Sequence, residues 1–161
     1  MSLENSAEKK GGEPGLPASR QLCEIFSQVL AQWAYLPSEY AGTQVGEPSD
    51  LPLEKGVFLR GGFKGTLVVR AAAAVGPLLA EAALGDAADE NSAVDSFQEL
   101  INVFCGHFLT RFWPSTAFDS FLPVPLSRFF WPEGDPAVSG VVSVEGYPIE
   151  IRFWIEPKEP V

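Results

Sequence analysis

The feature that most constrains the fold is a strict alternation of side chains near the C-terminus. Ile149, Ile151, Phe153 and Ile155 occupy every second position, and Glu150, Arg152 and Trp154 lie between them. Successive side chains of a β-strand point to opposite faces, so the run predicts a strand. Val138, Val142 and Val144 are spaced in a similar way and are joined to it through Gly146-Tyr147-Pro148. The two runs therefore predict a terminal β-hairpin.

Two longer segments follow a helical period instead. In the first, apolar residues recur from Leu22 to Trp33, Pro17 suits the first turn, and the helix is expected to end near Pro37. The second is expected from about residue 93 to residue 112, before Pro114. Ser92 is its candidate N-cap, and Asp95 stands three residues further on, where a carboxylate meets the positive end of the helix.

Shorter elements lie between and after these helices. Val57 to Arg60 and Thr66 to Arg70 are expected to be strands, and Gly61 to Gly65 lies between them. This glycine-rich segment lacks both phosphate-binding signatures, Gly-x-Gly-x-x-Gly and the Walker ending, so a hairpin turn is the favoured interpretation. A short helix is expected from Val75 to Leu84 with Gly85 as its C-cap, and a further strand from Phe118 to Leu122. Residues 38–55 are expected to form a loop.

The order of these elements predicts the fold class. Each long helix is followed by a pair of strands, which indicates a loose internal α-β-β duplication. The class is α+β, with two long helices covering an antiparallel or mixed β-sheet. Residues 17–161 are expected to form one domain. Residues 1–16 are rich in Gly, Glu, Lys and Ser and have little to bury, which is typical of a flexible tail.

Composition limits the classes of function. The net charge of −10 disfavours nucleic acid as a partner, because binding it requires a basic stripe. Cys23 and Cys105 match no metal or redox spacing and are expected to be buried, reduced thiols. The N-terminus lacks the apolar core of a signal peptide, and the longest apolar run, Ala71 to Ala80, is too short to span a membrane. We expect a soluble, cytoplasmic protein without membrane insertion.

The second long helix carries the candidate site. At about 100° per residue, Asp95, Glu99, Asn102 and Gly106 fall together, nearly opposite the apolar stripe. A glycine within a helix costs on the order of 1 kcal/mol relative to alanine. Two interpretations are open from the periodicity. The face is either solvated surface with one poor helix former, or a surface where another backbone comes close.

This helix resembles that of the CheX/CheC family of chemotaxis phosphatases. The family pattern has an acidic residue or Ser, three others, Glu, two others, Asn, and a Pro after 22 more. Asp95, Glu99 and Asn102 match it, and residues 103–124 are the 22 before Pro125. Leu100 and Gly106 also match the Glu-Leu-x-Asn-x-x-x-Gly core. The resemblance covers residues 17 to 155, and one complete motif is similar to the CheX branch. Position 107 departs from the pattern, with His where relatives often carry Asn.

The resemblance implies a protein that hydrolyses the aspartyl phosphate of a CheY-like receiver domain, in chemotaxis or a related two-component pathway. Asn102 would orient the attacking water, and Glu99 would pair with a lysine of the receiver. Asp95 and Gly106 would contact the receiver, although helix capping explains Asp95 equally well. Pro125 would shape the loop beneath the helix. No cofactor is expected on this chain, and Mg²⁺ is expected on the receiver.

Further expectations concern assembly and alternative sites. The resemblance implies a homodimer formed through sheet edges, for which strands between Val138 and Ile155 are the candidates. The first helix offers only Glu24-x-x-Ser27 with Arg20 before it, so a second site there is degenerate. A metal or catalytic-triad role is not expected for His107, the single histidine. The alternatives to a phosphatase are a receiver-binding module without activity and a structural part of a flagellar-switch assembly.

Overall fold

The computed structural model describes residues 15–45, 51–84, 90–120 and 132–156. In these ranges the chain forms three helices, namely α1 (Ser19–Ala34), α2 (Val75–Leu84) and α3 (Glu90–Phe112). The strands are β1 (Glu39–Tyr40), β2 (Leu53–Gly61), β3 (Lys64–Ala71), β4 (Phe118–Ser120), β5 (Val138–Val144) and β6 (Tyr147–Ile155). The expected α+β class is confirmed.

The strands form one antiparallel sheet in the order β1-β5-β6-β3-β2-β4. Exchanging β1 with β4, β2 with β5 and β3 with β6 gives the same strand order, read from the opposite edge of the sheet. Each half of the chain therefore consists of a long helix, a short edge strand and a hairpin. The edge strand of each half pairs with the hairpin of the other half. The duplication is thus α-β-β-β and not α-β-β, because each half has this additional short strand.

The C-terminal hairpin lies inside the sheet and not at its edge. β6 pairs with β3 as well as with β5, and β5 pairs with β1 through Ser143 and Val142. The expectation that these strands offer free edges is wrong, because β1 and β3 occupy both sides of the hairpin. Among the described strands, the edges of the sheet are β1 and β4. The hairpin turn itself, Glu145-Gly146, has positive φ angles of 50° and 86°, as a tight two-residue connection requires.

Helices α1 and α3 cover one face of the sheet. The rings of Phe26 on α1 and Phe104 on α3 meet at a centroid distance of 4.8 Å. An aromatic cluster at the end of α3 joins Phe108 and Trp113 to Phe63 at the β2–β3 turn and Phe153 on β6. These contacts bury the apolar stripe of α3 against the sheet and leave its opposite side outward.

A buried charge cluster lies on the other face of the sheet. The Glu150 side chain is 2% exposed and accepts hydrogen bonds from Arg70, its cross-strand partner, and from Arg152. Val68 and Trp154 are buried beside it on the same face. A buried carboxylate requires such partners, because desolvation of an unpaired charge is costly.

Several element boundaries differ from expectation. Helix α1 begins at Ser19, two residues after Pro17, and ends at Ala34 because Tyr35 adopts the left-handed conformation. β1 falls in the segment expected to be a loop, since two residues are too few for an alternation to be seen. β2 and β3 extend beyond the expected strands at both ends. Of the expected tail (residues 1–16), residues 1–14 lie outside the described residues, as do Gly85, Leu122 and Pro125.

Candidate functional site

The exposed side of α3 follows from how the helix packs. Phe97, Leu100, Ile101, Phe104 and Phe108 are fully buried. These positions repeat every three or four residues, so they form one stripe that faces the core. Asp95, Glu99, Asn102 and Gly106 are all exposed on the other side of the helix. The helix thus presents two acids, one carboxamide and one bare backbone position to solvent.

The side chains of Glu99 and Asn102 make no polar contact with the described residues. Within the part of the chain that the structure describes, neither makes a hydrogen bond or an ion pair, and the same holds for Asp95. Their i, i+3 spacing puts the two head groups on neighbouring positions of the helix surface. A carboxylate binds a cation, while a carboxamide both donates and accepts hydrogen bonds. The pair can therefore bind a partner's positive charge and orient a water molecule at the same time.

Capping does not explain Asp95. Helix α3 begins at Glu90, so Ser92 is its third residue and Asp95 its sixth. The N–H groups without an intrahelical partner are those of the first four residues, and Asp95 lies beyond them. The assignment of Ser92 as N-cap is wrong for the same reason: the helix starts two residues before it. Asp95 is left as an exposed acid about one turn before Glu99.

Nothing among the described residues requires a glycine at position 106. A Cβ atom added there would meet no atom within 4 Å, beyond its own neighbours and the helix backbone. Gly140 shows the opposite situation, because an added Cβ would lie 2.3 Å from the Cys23 sulfur. Gly140 thus permits α1 to pack on β5, whereas Gly106 leaves open helix surface beside Asn102.

The face of α1 that corresponds to the α3 site has different residue types at three of its four positions. Aligning Glu24 with Glu99 places Ser27 on Asn102, Ala31 on Gly106 and Arg20 on Asp95. Ser27 is half-buried, and its hydroxyl is hydrogen-bonded to that of Ser38 at 2.7 Å. The Arg20 guanidinium lies 4.3 Å from the centre of the Tyr40 ring. The α1 position that matches Asn102 therefore carries no carboxamide.

The remaining candidate groups are placed as follows. His107 is exposed, whereas Cys23 and Cys105 are both buried. Burial raises the pKa of Cys105 to about 11 and that of Cys23 to about 12, the latter partly offset by the positive charge of Arg20. Among the described residues, no group of three or more His, Cys, Asp or Glu could hold a metal ion. No described helix is long and apolar enough to span a bilayer.

One residue beside the site carries no signal in the sequence. Val103 is half-buried and packs against the core, yet it borders Glu99 and Gly106 on the outer surface of α3. A valine in a helix is normally taken as core. Only its partial exposure shows that it also borders the site.

Comparisons with known proteins identify the fold. No protein-family model and no curated protein sequence matches the chain. The chain is similar to the crystal structure of a chemotaxis protein CheX from Desulfovibrio desulfuricans, with a TM-score of 0.64 and 14% identity over 86% of this chain and 98% of that one. It is similar to the CheX–CheY–BeF3–Mg complex from Borrelia burgdorferi, with a TM-score of 0.60 and 17% identity over 86% and 97%.

A flagellar protein has a similar structure too. The FliM middle domain from Vibrio alginolyticus matches with a TM-score of 0.55 and 15% identity, over 88% of this chain and 94% of that domain. The fold of the chain thus agrees with the resemblance of its α3 motif. The chain has the fold of the CheX/CheC chemotaxis proteins.

Proposed function

We propose that this protein is a phosphatase that hydrolyses the aspartyl phosphate of a CheY-like receiver domain. The observation that carries the proposal is the free, exposed Glu99–Asn102 pair on α3, in the fold of the CheX/CheC proteins. In one of the similar structures CheX is bound to CheY together with BeF3 and Mg. Beryllofluoride is a stand-in for a phosphoryl group, so that complex supports a phosphorylated receiver as the partner.

Asn102 would bind and orient the attacking water. Its carboxamide oxygen accepts a hydrogen bond from the water and its NH₂ group donates one, so the water is held in line with phosphorus. The water oxygen forms the new bond to phosphorus, and the bond between phosphorus and the aspartyl oxygen breaks. The products are inorganic phosphate and a free aspartate. Positioning of this kind is effective because a loose phosphoryl-transfer transition state needs little covalent help.

Glu99 would set the register of the docked receiver. Its exposed carboxylate would pair with the ammonium group of the receiver's lysine beside the phosphoryl group. Asp95 would add negative charge one turn earlier, and Gly106 would let the receiver backbone approach α3. The metal belongs to the substrate in this mechanism, because Mg²⁺ would be carried by the receiver. No cofactor of this chain takes part.

The direct test is the decay of phosphorylated receiver. CheY-like receivers are charged with phosphoramidate and Mg²⁺, and release of inorganic phosphate is followed at several concentrations of this protein. We expect catalytic turnover that stops when EDTA removes Mg²⁺. Calorimetry of Mg²⁺ into the isolated protein should show no binding. Decay at the receiver's own rate with every receiver tried would contradict the proposal.

A second candidate function is suggested by the flagellar matches. The FliM middle domain and FliY from Thermotoga maritima have similar folds, with TM-scores of 0.55 and 0.51. A protein of this type could bind a receiver, or form part of a switch assembly, without hydrolysis. The free Asn102 carboxamide favours the phosphatase, because binding alone does not need it. Binding of the receiver without loss of phosphate would favour the second candidate.

We also propose that the protein is a homodimer. The family resemblance implies pairing through sheet edges, and β1 (Glu39–Tyr40) is an edge strand of the described sheet. Light scattering at micromolar concentration should give about twice 17.4 kDa. A mass of one chain would exclude this assembly, and the assignment of the α3 site would be unaffected.

A further inference from the structure

The surface next to Glu99 is apolar on one side. Val103 follows Glu99 by four residues and precedes Gly106 by three, so all three lie on adjacent turns of one helix surface. At about 100° per residue, Val103 and Asn102 lie on opposite sides of Glu99. Glu99 is therefore bordered by a carboxamide on one side and by an isopropyl group on the other.

The Val103 side chain has little conformational freedom. It packs against the core and is half-buried, so part of it is accessible at the surface. A β-branched residue in a helix has one strongly preferred rotamer, so the outward methyl group has a defined position. Valine is also not a strong helix former, and helix propensity does not account for its presence here.

A cation that pairs with Glu99 lies next to the exposed part of Val103. Glu99 has no partner among the described residues, and the chain carries a net charge of −10. A lysine brings its ammonium group on a flexible apolar stem, which lies along apolar surface while the charged head is paired. A bare metal ion has no such stem and would gain nothing from an apolar wall beside the acid.

We propose that Val103 is a docking residue for the receiver, and that the methylene stem of the lysine that pairs with Glu99 lies against it. This inference rests on the proposed function, since it assigns a second contact to the same partner lysine. Val103 acts on how the receiver docks, whereas Asn102 acts on the water. The two residues should therefore affect different measured quantities.

The test uses the same substitution at two valines of α3. Val103→Thr keeps the shape and the β-branching but replaces a methyl group by a hydroxyl. Val94→Thr is the matched control, because Val94 is also half-buried on α3 but lies on a different side of the helix from Glu99. Binding of each variant to a receiver activated with BeF3 and Mg²⁺ is titrated, and kcat is measured separately with phosphorylated receiver.

We expect Val103→Thr to raise the dissociation constant for the activated receiver about 3- to 10-fold, from the loss of roughly one methylene of apolar contact. Its kcat should stay within about twofold of the parent, and Val103→Ile should bind at least as well as the parent. Combined with Glu99→Gln, the Val103→Thr effect should shrink, because both side chains contact one lysine.

Equal affinities for the parent and Val103→Thr would overturn the inference, as would equal losses in Val103→Thr and Val94→Thr. If the receiver binds with the expected pattern but keeps its phosphate, the docking role stands and the phosphatase function fails. If no CheY-like receiver binds the parent protein, both are wrong.

Discussion

The side chains of Glu99 and Asn102 lie one turn apart on the exposed surface of α3, and neither forms a hydrogen bond or an ion pair with any residue that the structure describes. Free polar groups on a helix that is otherwise packed against a sheet are ready to meet a partner. Substitutions at Asn102, Glu99 and Gly106 should therefore have different effects on turnover and on receiver binding.

Asn102→Ala should lower kcat by roughly 10²- to 10³-fold, the loss typical of removing one group that acts in the transition state. Binding of the activated receiver should be largely retained, since a short carboxamide contributes little to docking. Asn91→Ala is the matched control, as Asn91 is also exposed on α3. The measurement is single-turnover decay of phosphorylated receiver. Wild-type turnover by Asn102→Ala would remove Asn102 from the mechanism.

Glu99→Gln should act mainly on binding. The substitution keeps the size of the side chain but removes the charge, and hydrogen bonds to charged groups contribute about 1.5–3 kcal/mol. The dissociation constant for activated receiver should rise at least about tenfold, and kcat should fall as well, because the paired lysine also touches the phosphoryl group. Glu24→Gln, the same change at the matching position of α1, should have no effect on either quantity. A loss at Glu24 equal to that at Glu99 would mean that α1 also docks the receiver.

Gly106→Leu should block docking without harming the fold. An added Cβ atom would meet no described atom within 4 Å, and leucine is a better helix former than glycine by on the order of 1 kcal/mol. We expect an unchanged or higher melting temperature together with loss of receiver binding. Gly140→Ala is the contrasting variant: its Cβ would crowd the Cys23 sulfur, so its melting temperature should fall. Normal receiver binding by folded Gly106→Leu would exclude close backbone approach at this position.

Stability should decline at alkaline pH because of the two buried thiols. Burial raises the pKa of Cys105 to about 11 and that of Cys23 to about 12, from an ordinary value of 9.0. Between pH 9 and 11 the unfolded chain has lost thiol protons that the folded chain still holds. The free energy of unfolding therefore falls as the pH rises through this window.

Urea denaturation at several pH values measures this slope. The double variant Cys23→Ala/Cys105→Ala is the control and should show a shallower decline, since the other titrating groups are unchanged. Native thiols should also resist iodoacetamide at pH 8, because the thiolate is the reactive form. Equal slopes for the parent and the double variant would mean that the thiols do not contribute.

Much of the secondary structure is predictable from local pattern. The period of two in residues 149–155 and the helical period of α3 each match the observed element, because burial of one face imposes that period on the sequence. Helix α2 is found at the expected residues, Val75–Leu84. The start of α3 differs from the expected residue. Ser92 has the chemistry of a cap but lies inside the helix, which begins at Glu90. A cap residue marks a helix start only when the helix does not extend past it.

The site was visible in sequence as a set of residue types at a helical spacing, and the sequence alone determined which residues share a face of α3. Only the tertiary structure decided that this face is outward and that Glu99 and Asn102 have no partner among the described residues, because both facts depend on what packs against the helix. It also decided the strand order. Periodicity reports which side of a strand is buried, but the neighbours of a strand are set by hydrogen bonds to segments far away in the chain. The C-terminal hairpin therefore looked like an available edge and lies between β1 and β3.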